Sequence, residues 1–382
     1  MRFSPSHPVA GLLAVMIGYT SSVAIVLQAA DAVGASAAQR ASWLLALGVG
    51  MAATCVGLSL RYRAPVLTAW STPGAALLAT SLQGVPMGDA IGAFVFSSAL
   101  LALVGTLGWV DRLMRHVPPA LASAMLAGVL FRFGVDLFTS MQQQAVLVGA
   151  MSVTYLAGRR LWPRYVIPAT LCVGIAAAFG LGLVRTDALR LALAAPVFTV
   201  PSFSLPVLVG VGLPLFVVTM ASQNVPGLAV LRANGYDTPV SPLIAWTGVT
   251  GLVLAPFGGF AFNLAAITAA ICMSRDADPD PSRRYLAAVW AGGVYLVAGL
   301  FGASVVALFA AVPAELVRAI AGLALLGTLA ASLASASADA ARRDPAVVTF
   351  LVTVSGVSFL GVGSAFWGLV FGLVMHRAIG SD

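Results

Sequence analysis

Charge is missing from long intervals of this chain. No Asp, Glu, Lys or Arg falls between Arg2 and Asp31, Arg63 and Asp89, Arg190 and Arg232, Asp237 and Arg275, Arg284 and Glu315, or Asp344 and Arg377. Each interval exceeds the ~20 apolar residues that carry a helix across a bilayer. With 60% hydrophobic and 9% charged residues over 382 positions, against about 25% charged in soluble domains, there is too little polar surface for a water-soluble fold. The apolar runs are continuous where a membrane β-barrel would alternate. The chain therefore reads as an all-α polytopic membrane protein.

Spans are expected at 10–31, 40–60, 65–83, 88–109, 118–134, 143–157, 163–184, 206–231, 240–255, 257–272, 285–309, 313–338, 345–359 and 362–377, which makes fourteen transmembrane segments. Met1 to Pro8 reads as a short tail before a retained first span. All 20 basic residues are Arg. A cytoplasmic N-terminus puts Arg40, Arg132, Arg185, Arg190 and Arg318 outside and the other fifteen inside, the direction of the positive-inside rule. Both termini then face the cytoplasm. Residues 185–205, with Pro196 and Pro201, read as a linker with an amphipathic interfacial piece around Thr186 to Leu193. Seven segments precede it (1–184) and seven follow (206–382), so halves related by duplication must be inverted.

The net charge of +7 invites a nucleic-acid reading, but the arginines are scattered and no basic face with interleaved aromatics exists. Cys55, Cys172 and Cys272 lie apart in apolar runs and read as buried hydrophobes. His7, His116 and His376 are isolated in sequence, so no metal cluster is expected. No nucleophile elbow, P-loop, zinc-protease or dinucleotide fingerprint stands in a usable context. An enzyme is not expected.

Repeat symmetry is faint. Gly18 to Gly34 aligns without gaps on Thr219 to Gly235, matching Ser21 with Ser222, Leu27 with Leu228 and Gly34 with Gly235. In the third segment Ser71-Thr72-Pro73-Gly74 interrupts the run before an Ala-rich helix, and Pro256-Phe257-Gly258-Gly259 does so in the tenth. Breaks in mid-membrane must line a protein-enclosed cavity, because their backbone groups cannot go unpaired in hydrocarbon. A restarting helix presents N-terminal amides suited to an anion. Ordinary helix packing also uses Gly and Pro.

The stretches His7 to Ala30, Thr68 to Ala79, Ala255 to Ser274 and Arg283 to Phe301 together resemble the benzoate membrane transport (benzoate:proton symporter) family over essentially the whole chain. That family is similar in fold to the uracil and xanthine permeases and to sulfate-transporter-like anion carriers. The resemblance implies two inverted seven-segment repeats and short strands before half-helices in segments 3 and 10. It also implies a core domain from segments 1–4 (10–109) and 8–11 (206–309), and a gate domain from segments 5–7 (118–184) and 12–14 (313–377).

The expected substrate site collects Tyr19, Thr20, Ser21 and Ser22 from segment 1, and Ser71, Thr72 and Gly74 from segment 3. Ser222, Gln223 and Asn224 join from segment 8, and Gly258, Gly259, Phe260 and Asn263 from segment 10. Hydroxyls, amides and half-helix ends would hold a carboxylate, with Tyr19 and Phe260 as walls for an aromatic ring. The glycines would admit a close backbone approach. Equally, Thr20, Ser21, Ser22 and Ser222 can bond to preceding helical carbonyls, and both aromatics can be core residues. The related permeases carry acids on segments 8 and 10; here Gln223, Asn224 and Asn263 stand instead, which suits a substrate that is itself a carboxylate.

The expected function is import of benzoate or a similar aromatic carboxylate by proton symport, with no cofactor and a proton gradient as driving force. Asp31 or Asp89 is the first choice for coupling, and the proton could equally travel on the substrate. Arg132 and Asp136, four apart, are expected to pair at a helix end. Small pairs such as Ala127 with Gly128 and Ala330 with Ala331 permit sliding or a homodimer contact in the lipid bilayer. The alternatives are a carrier of the same fold for a nucleobase, sulfate or other small anion, or a passive anion channel.

Overall fold

A computed structural model describes residues 6–110, 118–360 and 362–379; Arg2 and His116 lie outside them. The first half runs α1 (Ser6–Ala32), α2 (Ala37–Tyr62), a strand β1 (Thr68–Trp70), the short α3 (Thr72–Ser81), α4 (Met87–Thr106), α5 (Pro119–Gln143), α6 (Ala145–Leu161) and α7 (Val166–Gly180). The second runs α8 (Leu205–Ala233), α9 (Val240–Leu254), a strand β2 (Phe262–Leu264) and the six-residue α10 (Ile267–Cys272). It continues with α11 (Tyr285–Leu300), α12 (Gly302–Ala311), α13 (Ala314–Ser337), α14 (Arg343–Ser355) and α15 (Ser364–Ile379).

Among the described residues seven helices are long and apolar enough to cross a membrane, or eight if α11 and α12, bent by 61°, form one span. The ranges 65–83, 143–157, 163–184, 257–272, 345–359 and 362–377 hold helices of 17 residues or fewer. In two of them the chain runs partly as strand. The range 285–309 is broken at Phe301.

Two strands inside a helical bundle raise a physical problem, because unpaired peptide groups are costly away from water. The strands answer each other in antiparallel register, Thr68 with Leu264, Ala69 with Asn263 and Trp70 with Phe262. The ladder extends through Ser71 N–H to the Ala261 carbonyl at 3.0 Å and Ala265 N–H to the Leu67 carbonyl at 2.9 Å. Side chains then close the edges. The Asn224 Oδ1 accepts from Leu264 N–H at 2.9 Å, and the Cys55 Sγ accepts from Thr68 N–H at 3.2 Å. Ser59 donates to the Val66 carbonyl at 3.1 Å.

Helix α8 widens twice into π turns, at Leu208–Gly212 and Met220–Asn224. Each ends two residues before a proline, Pro214 and Pro226. Proline withholds an N–H and crowds the carbonyl four residues back, and a wider turn relieves both. The second π turn contains Ser222, Gln223 and Asn224.

The most extensive helix contacts are α5 on α13, α2 on α11 and α4 on α9. Small residues allow the close crossings: a Cβ at Gly48 would lie 2.6 Å from the Gly299 Cα, the kind of backbone approach that packs helices in lipid. The principal core lies largely among α1–α4 and α8–α11, and a smaller cluster joins α6, α7 and α13 through residues such as Leu147, Met151, Ala178 and Leu316.

The linker is not the amphipathic piece expected around 186–193. After one 3₁₀ turn at Thr186–Ala188 it runs extended as a strap. Its backbone finds partners on neighbouring elements: Ala192 N–H on Ser304, Ala194 N–H on the Leu300 carbonyl, Val197 N–H on Ser42, Thr199 N–H on the Pro256 carbonyl and Ser202 N–H on the Gly88 carbonyl. With Pro196 and Pro201 opposing a helix, these external bonds replace internal ones.

Candidate functional site

Helix α3 starts where Ser71 caps it: the Ser71 Oγ accepts from Gly74 N–H at 2.9 Å and the Ser71 carbonyl from Ala75 N–H at 2.7 Å. Such a cap satisfies an otherwise orphaned donor. Gly74 thus gives its amide to the cap, and a Cβ there would press on Leu215 Cδ1 at 2.8 Å. Pro73 has no N–H, so Thr72 supplies the remaining first-turn amide. The Ser71 hydroxyl proton and the Thr72 hydroxyl have no partner among the described residues.

Helix α10 starts differently. Ala266 precedes it and no side chain caps it. Its first residue, Ile267, is 80% exposed and lines a cavity of about 370 Å³ with Ile17, Pro163, Ala270, Ile271 and Ser274. This start comes after β2, whereas Pro256–Gly259 comes before it. Gly258 and Gly259 end α9 instead: Gly258 takes a left-handed φ of 91°, and its N–H and that of Gly259 close back on the carbonyls of Ala255 and Leu254 at 2.8 and 2.9 Å. A Cβ on Gly258 would enter the Trp43 indole. Phe260 is fully buried in a ring cluster with Trp43 and Phe94, at 5.9 and 5.3 Å between centroids. These three positions terminate a helix and fill the core, apart from the start of α10. The counterpart of Ser71-Thr72 is Ala265-Ala266, which carries no Gly or Pro to mark it.

On α1 the hydroxyls turn back on their own helix: Thr20 to the Met16 carbonyl at 2.6 Å, and both Ser21 and Ser22 to the Gly18 carbonyl at 2.8 Å. Ser22 also accepts from Trp70 Nε1 at 2.9 Å. The Tyr19 ring meets Trp70 edge-on at 5.1 Å, and its buried hydroxyl has no partner. On α8, Ser222 donates to the Val218 carbonyl at 2.6 Å. Asn224 is committed to Leu264, with its Nδ2 3.4 Å from the Met220 Sδ. The Gln223 amide makes no hydrogen bond among the described residues. Asn263 is fully buried; its Nδ2 donates to the Ala261 carbonyl at 3.0 Å and its Oδ1 has no partner. By strand alternation it shares a face with Ala69, opposite to Trp70 and Phe262.

The expected residues thus sort by what their polar atoms still have to offer. Tyr19, Ser71, Thr72 and Gln223 keep free donors, and Asn263 keeps a free acceptor. Thr20, Ser21, Ser22, Ser222 and Asn224 are engaged in holding the frame. Ile17, Ile267, Thr268 and Ile271 were not singled out in the sequence, being apolar or small residues in apolar helices. Thr268 Cγ2 lies 3.1 Å from where a Gly18 Cβ would sit, fixing α10 on α1.

The candidate coupling acids have local partners. Asp31 pairs with Arg40 at 2.8 Å, and Asp89 accepts from Ser202 of the strap at 2.5 Å. The expected Arg132–Asp136 pair does not form among the described residues. His7 is not isolated: its Nε2 meets the Asp278 Oδ2 at 2.7 Å, and both residues are buried. Burial alone would push the Asp278 carboxyl up. The Asp280 N–H, the His7 hydrogen bond and the charges of His7 and Arg283 outweigh it and hold the carboxyl below its usual range. Buried Arg284 ties the same loop down through the carbonyls of Asp278 and Met273, both at 2.8 Å.

Comparison with known proteins gives this arrangement a context. The "Inner membrane protein YdcO" of Escherichia coli (strain K12) is 49% identical over 372 residues, 97% of this chain and 95% of that protein. The "Benzoate membrane transport protein" of Acinetobacter baylyi (strain ATCC 33305 / BD413 / ADP1) is 40% identical over 374 residues, covering 98% and 95%. Among solved structures, SLC26A9 superposes with a TM-score of 0.60 at 13% identity, over 97% of this chain and 65% of that one. The transmembrane domain of the cyanobacterial bicarbonate transporter BicA does so at 0.55 and 13% identity, over 99% and 97%. These two establish a shared fold. The family model for BenE, described as a benzoate membrane transport protein, matches residues 1–378, and the Acinetobacter baylyi relative carries the same description. The chain belongs to the BenE family of benzoate membrane transport proteins, a non-enzymatic family.

Proposed function

We propose that this protein is a secondary carrier that imports benzoate or a similar aromatic carboxylate by proton symport. The observation that carries the reading is the β1–β2 pair inside the bundle, with α3 and α10 restarting from its two strands and the uncapped α10 opening on an apolar cavity. A carboxylate needs donors and an aromatic ring needs flat apolar walls. The first amides of α10 are donors beside the walls Ile17, Ile267 and Ile271, and Ser71, Thr72, Gln223 and Tyr19, which lie outside that lining, are the donors offered from α3, α8 and α1. Among the described residues no Arg side chain lines that cavity, so the charge is answered by dipoles and hydrogen bonds, and no buried cation is stranded when the site empties.

In this reading the fourteen segments form two inverted repeats, 1–184 and 206–382, with the His7 end cytoplasmic. Helices α1–α4 and α8–α12 move as a core against a gate of α5–α7 and α13–α15. The pairing of α2 with α11 and α4 with α9, and of α5 with α13 and α14, supports that division. The unpaired Asn263 Oδ1 suits the O–H that the bound carboxylate acquires when it takes up the coupled proton, so the proton travels on the substrate, and Asp31 and Asp89 are left to their partners at segment ends.

Uptake of labelled benzoate into proteoliposomes, with and without an inward proton gradient, tests the reading. Accumulation that depends on the gradient is expected. No uptake overturns the substrate, and uptake of sulfate or a nucleobase in its place identifies another cargo for the same fold. Gradient-independent saturable uptake overturns symport, and non-saturating current points to a channel.

A further inference from the structure

At the end of the molecule marked by Asp31, opposite to His7, a cavity of about 440 Å³ opens between α1 and α3 on one wall and α5 and α13 on the other. It lies within the size range of small-molecule sites, about 300–1,000 Å³. The α5–α13 wall carries Arg132 and Arg318, and the α1–α3 wall carries Gln28, Thr80 and Gln83. Arg132 has no hydrogen bond or ion pair among the described residues. Among the described residues Arg318 reaches only the Gln143 Oε1, at 3.3 Å.

Two carboxylates share the cavity. Asp31 is answered by Arg40 at 2.8 Å, which leaves Asp136 alone against two guanidinium groups. An adjoining cavity of about 320 Å³ shares Gln28, Asp31 and Arg318 and adds Arg40 and Arg185. The net field in the mouth is therefore positive. A guanidinium presents a planar fork of donors that matches a carboxylate. Phe133 lies in the same lining and offers an aromatic neighbour.

We infer that Arg132 and Arg318 form a capture site for the carboxylate of an incoming aromatic acid, separate from the half-helix site. The inference rests on the proposed function for the identity of the ligand. A carboxylate held by the two arginines would face Gln28, Thr80 and Gln83 across the cleft, so it touches both walls before moving inward. Positive mouths of this kind raise the encounter rate with anions and lose that advantage as salt screens them.

The test is calorimetric titration of benzoate into purified protein in detergent, at low and at high ionic strength. Wild type should show a salt-sensitive binding phase, and Arg132→Gln with Arg318→Gln should weaken it about tenfold and flatten its salt dependence. Arg132→Lys should keep much of it, and Asp136→Asn should tighten it, which a merely structural role for these residues would not do. Equal affinity and equal salt dependence in wild type and the double variant overturn the capture site, as does a wild type that binds no benzoate. Binding that disappears in the double variant, while wild-type liposomes take up no benzoate, overturns the transport reading and leaves the capture site standing.

Discussion

Gln223 and Asn224 are adjacent amides on one π turn with different roles. Asn224 holds the free edge of β2 through Leu264 N–H, while Gln223 holds nothing among the described residues. Asn224→Ala leaves a buried N–H unpaired and should cost about 1–3 kcal/mol, read as a lower Tm in detergent. Gln223→Ala should keep its Tm and lose benzoate uptake; unchanged uptake would remove Gln223 from the site. The polar groups at 19–22 and 222–224 are legible in the sequence because they interrupt apolar helices. Which of them remain free is not, because that depends on carbonyls one turn back and on a strand forty residues away. The His7–Asp278 pair is equally hidden, its partners being 271 positions apart. Because the folded Asp278 carboxyl sits below its ordinary value of about 3.8, its contribution to stability is complete above that pH and is lost as pH falls through the folded value. A thermal-unfolding series from neutral to strongly acidic pH should show this loss in wild type and a shallower one in Asp278→Asn; identical acid slopes would show that the pair adds nothing.

At the scale of elements, punctuation misleads where regular structure is shortest. Pro256–Gly259 stands out as a break, yet it closes α9, and the restart of α10 falls at Ala265-Ala266, where nothing marks it. A three-residue strand has too few positions for an alternating pattern to show, so a strand in segment 10 is expected from the family resemblance alone, and its residues are fixed only by the pairing with β1. The role of Gly258 as a helix terminator has a direct consequence. Gly258→Ala must hold a left-handed φ and place its methyl in the Trp43 ring, and should destabilise by about 2–4 kcal/mol. Gly34→Ala, at φ 73° with nothing within 4 Å, should cost about 1 kcal/mol. Equal Tm losses in the two would show that the contact with Trp43 does not matter.

For the whole molecule the membrane character follows from charge placement, while the way the two halves pack does not. Two hydrogen bonds separate the relevant interfaces. Gln28 Nε2 reaches the Val317 carbonyl at 3.4 Å, from α1 to α13, and Ser123 Oγ reaches Ser335 Oγ at 3.0 Å, from α5 to α13. In a background without Cys55, Cys172 and Cys272, oxidising the pair Gln28→Cys with Val317→Cys should stop uptake, and a reductant should restore it. Ser123→Cys with Ser335→Cys should crosslink without effect, since the proposed function puts both helices in the gate. Inhibition by the second pair alone would place the moving boundary elsewhere.

The pairing of β1 with β2 also sets an order in time. When the ribosome has delivered β1, the segment that will answer the Leu67 carbonyl and the Ser71 N–H is still unmade, and hydrocarbon offers no substitute. The strap has the same dependence, since Pro256 and Leu300, which hold it, come later in the chain. The first half must therefore wait in the insertion machinery, or around retained water, until the second arrives. Biogenesis of this protein is then a single late closure in which two unfinished halves complete each other.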